Sequence, residues 1–441
     1  MNKKIGIGLL GLGTVGTGVV KILQSPQGRN PLVSQLELIK ISVRNKEKHR
    51  KTTINSTNLT EDPFEVVNDP LVNVIVEVMG GLEPARSLIL EAISLGKSVV
   101  TANKAVIARH GEEIAEAANK AGVYVLIEAA VGGGIPIIEP LKQSLGGNKI
   151  RKVSGIINGT TNYILSQMSK DGSAYKDVLS EAQKLGYAES DPAADVEGFD
   201  AADKISILSG LAFGGPINRS EVPTKGINNL ETRDLDYASR LGYSIKLLAI
   251  AENLSHQNVT KNLYDPAHLA AWVEPTLVPT EHPLAGVNGV NNAILIEGDP
   301  IGEVMFYGPG AGSGPTASAV VADILNIAGI KTMSTKDEPL DPLLQAASWR
   351  ECHLVDSTRI SQKNYVRLIT EDSPGVIGRI GNLFGDNKVS IQSIVQFDAS
   401  ADGAEIVVIT HKVNKGAMEC SLSKIRELKE VKSLGAHLGC L

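Results

Sequence analysis

Cysteine is scarce in this chain, and what there is stands late: Cys352, Cys420 and Cys440, with no CxxC and no Cys/His ligand spacing. A disulfide framework and a zinc site are therefore excluded, and everything before Cys352 lacks a thiol nucleophile. Long apolar runs are missing too. Nowhere do 18 apolar residues stand together, so no membrane span is expected. The opening MNKKIGIGLLGLG has the lysines and apolar stretch of a signal peptide, but glycines interrupt it and no small-residue cleavage site closes it, so it reads as a strand. Charge of one sign is also lacking. With 43 basic and 49 acidic residues the net charge is −6, which gives no basic field to draw nucleic acid or an anionic membrane. A small soluble ligand and a reducing, cytoplasmic setting are the expectation.

What the chain has is length and glycine. Its 441 residues, 42% hydrophobic and 21% charged with 44 glycines, suit a loop-rich α/β protein of two or three domains. Residues 1–130 alternate strand and helix patterns: the apolar Lys3 to Leu10, the helix TGVVKILQ, strand-like LELIKISV and NVIVEVMGG, a helix from Pro84 to Leu95, KSVVTA, a helix near Ala105 to Ala121, then VYVLIEA. Such alternation predicts a doubly wound parallel sheet of Rossmann type. Residues 131–330 change character. IRKVSGIING, NNAILIEG and GEVMFYG read as strands, and YKDVLSEAQKLG, FDAADKISILSGLAFG and PTASAVVADILNIAG as helices, predicting an α+β domain whose last part returns to the first. A polar linker is expected over 331–362, and over 363–441 a ferredoxin-like βαββαβ module.

Between the first strand and helix stands Gly11-Leu12-Gly13-Thr14-Val15-Gly16. Glycines there let backbone N–H groups and a helix N-terminus approach a dinucleotide pyrophosphate; a tight packing turn is the other reading. Gly11, Gly13, Thr14, Val15 and Gly16 are thus cofactor candidates. At the end of the second strand, where an acid often meets the ribose of NAD, this chain has Arg44-Asn45-Lys46 and then Lys48, His49 and Arg50. A guanidinium suits a 2′-phosphate, so NADP(H) is expected over NAD(H); a solvated basic loop is the alternative.

The stretch AESDPAADVEGFDAADK, Ala188 to Lys204, crowds six acids before one lysine. Wound as a helix from Asp200, the sequence places Ala201, Ile205, Ile207, Leu208, Leu211 and Ala212 on one apolar arc, with Asp203, Ser206, Ser209 and Gly210 opposite. Lys204 falls inside the apolar arc with Asp200 one turn before it. A lysine facing the interior is costly unless paired or used, because burial lowers its pKa toward the range of proton transfer. It could instead snorkel at a core edge. A carboxylate metal site is weaker, because the D-x-D-x-D loop with its closing Glu is absent. Lys104, in Thr101-Ala102-Asn103-Lys104, follows a strand whose C-terminus faces the crevice of an open α/β sheet, so it should point to the nicotinamide end or simply start a helix. Two lysines and several carboxylates there suit a substrate with an ammonium, a carboxylate and an alcohol.

At this point the residues resemble the homoserine dehydrogenase family. GLGTVG, TANKA, EAAVGGGIPII, NGTTNYIL and GYAESDPAADVEGFDAADK follow in family order from Ile5 to Gly329, and the tail EDSPGVIGRIGNLFGDNKVSIQSI is similar to an ACT domain. The resemblance implies the monofunctional form, with no aspartokinase-like domain ahead of it. It implies L-homoserine and L-aspartate 4-semialdehyde interconverted with NAD(P)(H) in threonine, methionine and isoleucine biosynthesis. Lys204 would be the main proton donor and acceptor and Lys104 its assistant. Glu189 and Asp200 would hold the substrate, Gly186 would add backbone, and Asp191 and Asp195 would shape the loop, Asp195 also counting among the substrate-facing candidates. A structural Na+ or K+ would sit on oxygens of Glu128, Val131, Gly133 and Ile135. Gly312, in GPGAGSG, would be where the second domain meets the cofactor. Asn45 departs from relatives that carry an acid there, leaving cofactor preference open. L-threonine feedback through the ACT domain and a homodimer or homotetramer are also implied. A semialdehyde-oxidising enzyme would need a cysteine in the catalytic part; a non-catalytic, nucleotide-sensing amino-acid-binding regulator is the remaining alternative.

Overall fold

Short apolar strands followed by helices build the first layer. The computed structural model describes residues 4–47, 58–255, 266–333, 351–400 and 403–441. Strands β1 (Ile5–Leu10), β2 (Leu36–Ser42), β3 (Leu59–Thr60), β4 (Val74–Glu77), β5 (Ser98–Thr101) and β6 (Val125–Leu126) pair in the order β3-β2-β1-β4-β5-β6, all parallel. Every residue of β1, β4 and β5 is buried, as strands covered on both faces require. Helices α1 (Thr14–Gln24), α2 (Pro63–Val67), α3 (Ala85–Ser94) and α4 (Lys104–Ala121) alternate with the strands. Strand order reverses between β1 and β4, which opens a ligand crevice at their C-terminal ends.

The second domain carries β7 (Lys149–Ile156), β8 (Tyr243–Asn253), β9 (Ala267–Pro279), β10 (Asn291–Asp299) and β11 (Gly302–Pro309), antiparallel in the order β11-β10-β7-β8-β9. The sequence reading finds β7, β10 and β11 and misses β8 and β9, the two longest. Both are nearly continuous apolar runs covered on two faces, and such runs have no alternation to separate strand from buried helix. Helices α5 (Ile138–Lys142), α6 (Gly159–Asp171), α7 (Tyr175–Lys184), α8 (Ala193–Val196), α9 (Phe199–Phe213) and α10 (Thr232–Arg240) complete the domain. The expected polar face of α9 is corrected here: Asp203, Ser206 and Ser209 are buried along with Ile205 and Leu208. The reason is that α9 is the central helix, packed by α4, α5, α8 and strands β7 to β9.

Helix α11 (Ser313–Met333) then crosses back to the first domain. Ala317, Val320, Ile324 and Ala328 join Ile7, Val19 and Val20 in one apolar cluster. Gly18 permits the close crossing with α1, because a Cβ there would stand 2.2 Å from the Ser313 carbonyl oxygen. The linker expectation is also corrected. Residues 331–333 are still helical, residues 334–350 lie outside the described residues, and β12 (Cys352–Leu354) pairs in parallel with β9. Beyond it, β13 (Ser361–Thr370), α12 (Val376–Asp386), β14 (Ile391–Ser400), β15 (Gly403–Thr410), β16 (Val413–Asn414), α13 (Lys415–Arg426) and β17 (Val431–Cys440) form the ferredoxin-like module, its sheet ordered β17-β13-β15-β14. The end of β17 continues onto β9, with Gly439 opposite Thr276, Cys440 opposite Leu277 and the Leu441 N–H donating to the Leu277 carbonyl at 2.6 Å. Among the described residues no helix is long and apolar enough to cross a membrane.

Candidate active site

One cavity of about 1580 Å³ lies where α4, α6, α9 and the Pro309–Gly312 turn converge. Its wall holds Lys104, Asp200 and Lys204 together with Gly186, Glu189, Asp195 and Gly312. Each lysine arrives by a local device. Asn103 caps α4 by accepting from the Val106 N–H, so Lys104 is the first helical residue after β5. Gly198, with φ of 85°, takes the left-handed turn that starts α9, and winding from there brings Asp200 and Lys204 onto the same side.

The Asp200 carboxylate joins the two lysines. Its Oδ2 accepts from Lys204 Nζ at 2.8 Å and its Oδ1 from Lys104 Nζ. Lys204 also donates to the Ile157 carbonyl at 2.7 Å. Burial pushes the Asp200 carboxyl up, but the two ammoniums outweigh it and hold it well below the usual carboxylate range. The lysines then part company. Burial lowers Lys204, with Lys104 adding to the fall and Asp200 opposing it, and the net shift is downward. Burial also lowers Lys104, whose side chain is 38% exposed, but the Asp200 charge and hydrogen bond turn the balance upward. Neighbouring groups driven in opposite directions mark an acid/base assignment: Lys204 is the group whose proton burial loosens, and Lys104 is the one held as a cation.

The remaining candidates surround this centre. Glu189 is exposed on the cavity rim beside Gly186, whose φ is 76°. Thr160 Oγ1 donates to the Tyr187 carbonyl at 2.7 Å and ties that rim to α6. Asp203, placed on a polar face by the sequence, is instead held by Arg219 at 2.7 Å and Arg109 at 3.4 Å. Sequence reasoning missed these arginines and also Asn158, whose amide bridges Asp195 and Asp200 at 2.7 and 2.9 Å. An Asn directly before a helical run was the available signal. Glu77, at the end of β4 by the switch point, was missed as well. It is buried, which raises its pKa, and it accepts from Thr101 Oγ1 at 2.6 Å and the Met79 N–H at 2.8 Å.

Gly11, Gly13, Thr14, Val15 and Gly16 make the turn from β1 into α1, outside the cavity wall. Gly11 has φ of 103°, a Cβ on Gly13 would meet nothing within 4 Å, and no side chain caps α1. The first N–H groups of α1 are thus open to an anion. Arg44 is exposed just past β2, while Lys48, His49 and Arg50 lie outside the described residues. Glu128, Val131 and Ile135 are buried in a loop turned by Gly132 and Gly133, with φ of 74° and 58°. The Glu128 carboxylate accepts the N–H groups of Ile137, Ile138 and Glu139 at 2.6 to 2.9 Å and so caps α5. It also forms a carboxylate group with Glu139 and Asp323, the latter raised well above the ordinary range by burial and by Glu128.

Three family models match the chain: "Homoserine dehydrogenase, NAD binding domain" over residues 11–128, "Homoserine dehydrogenase" over 136–325 and "ACT domain" over 364–429. Among curated proteins, a homoserine dehydrogenase of Synechocystis is 53% identical over 428 residues, 97% of each chain. One of Bacillus subtilis is 37% identical over 439 residues, covering 98% of this chain and 97% of that one. Among solved structures, a homoserine dehydrogenase from Thiobacillus denitrificans superposes with a TM-score of 0.90 at 39% identity, covering 100% of this chain and 98% of that one. A hyperthermophilic archaeal homoserine dehydrogenase in complex with NADPH gives 0.60 at 30% identity, covering 74% of this chain and 98% of that one.

Proposed function

This chain belongs to the homoserine dehydrogenase family, and from that premise we propose that Lys204 transfers the proton while Lys104 and Asp200 set its charge. The protein is an NAD(P)-dependent oxidoreductase acting on a CH–OH group, interconverting L-homoserine and L-aspartate 4-semialdehyde. When bound, the nicotinamide supplies the two-electron acceptor or donor. Lys204 Nζ takes the alcohol proton in oxidation and returns one in reduction, and Lys104 opposes the charge on the alcohol oxygen. Glu189 and Asp195, on the same wall, hold the substrate ammonium, and the Gly186 backbone closes that end. The observation that carries this reading is the split between the lysines: one carboxylate pairs both, yet Lys204 is lowered and Lys104 raised.

NADP(H) is the cofactor we assign, with its 2′-phosphate on Arg44 and its pyrophosphate over Gly11 to Gly16. The donor set fits, because a Cβ at Gly13 would meet nothing within 4 Å and no side chain caps the α1 N-terminus. A monovalent cation is assigned to the Glu128, Val131, Gly133 and Ile135 loop, whose left-handed glycines turn the backbone beside three carboxylates. There it would hold the loop shape and take no part in proton transfer.

The ACT domain suits an amino-acid effector, and L-threonine is our assignment. Gly375, with φ of 88°, starts α12 with no side-chain cap, a free helix end in the DSPGVIG loop. A homodimer or homotetramer is our assignment, supported by the ends of the larger sheet, β11 and β14, which pair on one side only among the described residues. A cytoplasmic setting is retained. Absorbance at 340 nm with L-homoserine and NADP+ tests the activity. Cofactor binding without turnover would favour a nucleotide sensor instead, and activity indifferent to threonine would remove the effector assignment.

A further inference from the structure

The carboxylate shared by the two lysines is itself held by a neutral group that none of the steps above uses. Asn158 stands between β7 and α6 as the cap of that helix and is buried. Its Oδ1 accepts from the Thr161 N–H at 2.9 Å and from Thr161 Oγ1 at 3.0 Å. Its Nδ2 donates to Asp195 Oδ1 at 2.7 Å and to Asp200 Oδ2 at 2.9 Å. Both N–H bonds and the carbonyl oxygen are thus engaged. Flipping the amide would aim its oxygen at two carboxylates and deprive Thr161 of its acceptor, so one orientation satisfies the network. Helix capping needs only the oxygen; the two bonds made by the nitrogen are unexplained by it.

Asp200 Oδ2 is also the oxygen that Lys204 uses, at 2.8 Å. We propose that Asn158 is a positioning residue for the reaction: by sharing Asp200 Oδ2 with Lys204 and tethering Asp195 beside it, the amide keeps the carboxylate from closing fully on the ammonium. The inference rests on the reading of Lys204 as the proton-transfer group. The charged groups around this chamber are Asp200, Asp203 and Lys204 on α9, Lys104, Arg109 and Glu112 on α4, Asp195 on α8, Lys142 at the end of α5, Glu189 and Asp191 on the rim, and Arg219. Asn158 is a neutral donor set among them, and replacing it leaves their count unchanged unless the new residue is charged.

Ser and Asp both cap helices, so Asn158→Ser and Asn158→Asp keep the α6 cap while losing the amide donor to the carboxylates. With the full-length protein and saturating NADP+, the rising limb of kcat/KM for homoserine oxidation should move to higher pH by about half a unit to one unit in Asn158→Ser. It should move further in Asn158→Asp, which adds a negative charge. At neutral pH kcat/KM of Asn158→Ser should fall about 3-fold to 10-fold, the amount that shift implies, with NADP+ affinity and melting temperature unchanged. Thr161→Val, which removes one of the two groups orienting the amide, should give a smaller shift in the same direction. A loss of turnover with the limb unmoved would leave Asn158 as a cap alone and overturn the proposal. If Lys204→Ala keeps the wild-type profile, the reading of Lys204 fails first; if Lys204→Ala is inactive and Asn158→Ser leaves the limb in place, only the inference about Asn158 falls.

Discussion

Nε of Arg367, on β13 of the ACT domain, lies 2.6 Å from Oδ1 of Asp234, on α10 of the catalytic domain, and neither side chain has any solvent exposure. Around them, Arg233 binds Glu405 at 2.6 Å, and Arg367 reaches Glu405 at 3.5 Å and Glu231 at 3.6 Å. The ACT domain is therefore joined to the catalytic one by buried charge as well as by the strand contact of β17 with β9. Taking one member from a buried pair leaves the other charge stranded, whereas replacing both by apolar residues removes the problem. Arg367→Met should cost about 3–5 kcal/mol of stability, and Arg367→Met with Asp234→Leu should recover much of that. Urea unfolding of the two single variants and the double variant checks this, and additive losses would mean that the pair is not coupled.

Lys204 and Lys104 should separate kinetically. Lys204→Ala is expected to lower turnover about 100-fold to 10,000-fold with cofactor affinity intact, because no atom of Lys204 belongs to the glycine turn. Lys104→Ala should act differently: Lys104 is one of the groups that depress Lys204, so its removal should raise the apparent pKa of the base and shift the oxidation profile to higher pH. Stopped-flow turnover across pH, with cofactor titration by fluorescence, distinguishes the two. Equal losses with unmoved profiles would deny the lysines distinct roles.

The doubly wound domain and the βαββαβ module were legible because their elements alternate and end on glycine, as at Gly96 and Gly122 with φ of 71° and 66°. β8 and β9 were not, since strands buried on both faces carry no period-2 signal. The same physics misled the reading of α9. Helical winding places Lys204 correctly among apolar neighbours, but the opposite face, with Asp203 and Ser209, reads only as a polar face and is buried as well. Nothing local in the sequence tells that Arg219, sixteen residues on, and Arg109, on another domain's helix, fold over Asp203. Asn158 was hidden for a related reason: a helix cap is readable from its neighbours, but the carboxylates it binds lie 37 and 42 residues away.

Arg44 carries the cofactor prediction. It is exposed just past β2, beside a strand end where an acid would select a ribose hydroxyl and a guanidinium selects a 2′-phosphate. Charge-assisted hydrogen bonds to phosphate are worth enough that Arg44→Ala should lower kcat/KM for NADP+ about 10-fold to 100-fold and leave the value for NAD+ unchanged. Steady-state kinetics with both cofactors decides it. A wild-type preference for NAD+ that the substitution does not alter would remove Arg44 from cofactor selection.

Lys246 gives a pH prediction whose sign can be worked out. It is buried on β8 and donates to the Val287 carbonyl at 2.5 Å and to Asn288 Oδ1 at 2.9 Å. Burial pushes its ammonium down to about 8 from the ordinary 10.5. Between those two values the unfolded chain holds a proton at this position that the folded chain has released, so stability rises with pH through that window and the lysine costs most below it. Lys246→Met abolishes this titration. The stability of the wild type relative to the variant should therefore increase steadily from about pH 8 to about pH 10.5, while Lys97, Lys142, Lys204, Lys225 and Lys331, which burial also depresses, cancel in the difference. Urea unfolding of both proteins at several pH values measures it. A difference that stays constant over the window would mean that Lys246 keeps its proton in the folded state, with the Val287 and Asn288 oxygens compensating fully for lost water.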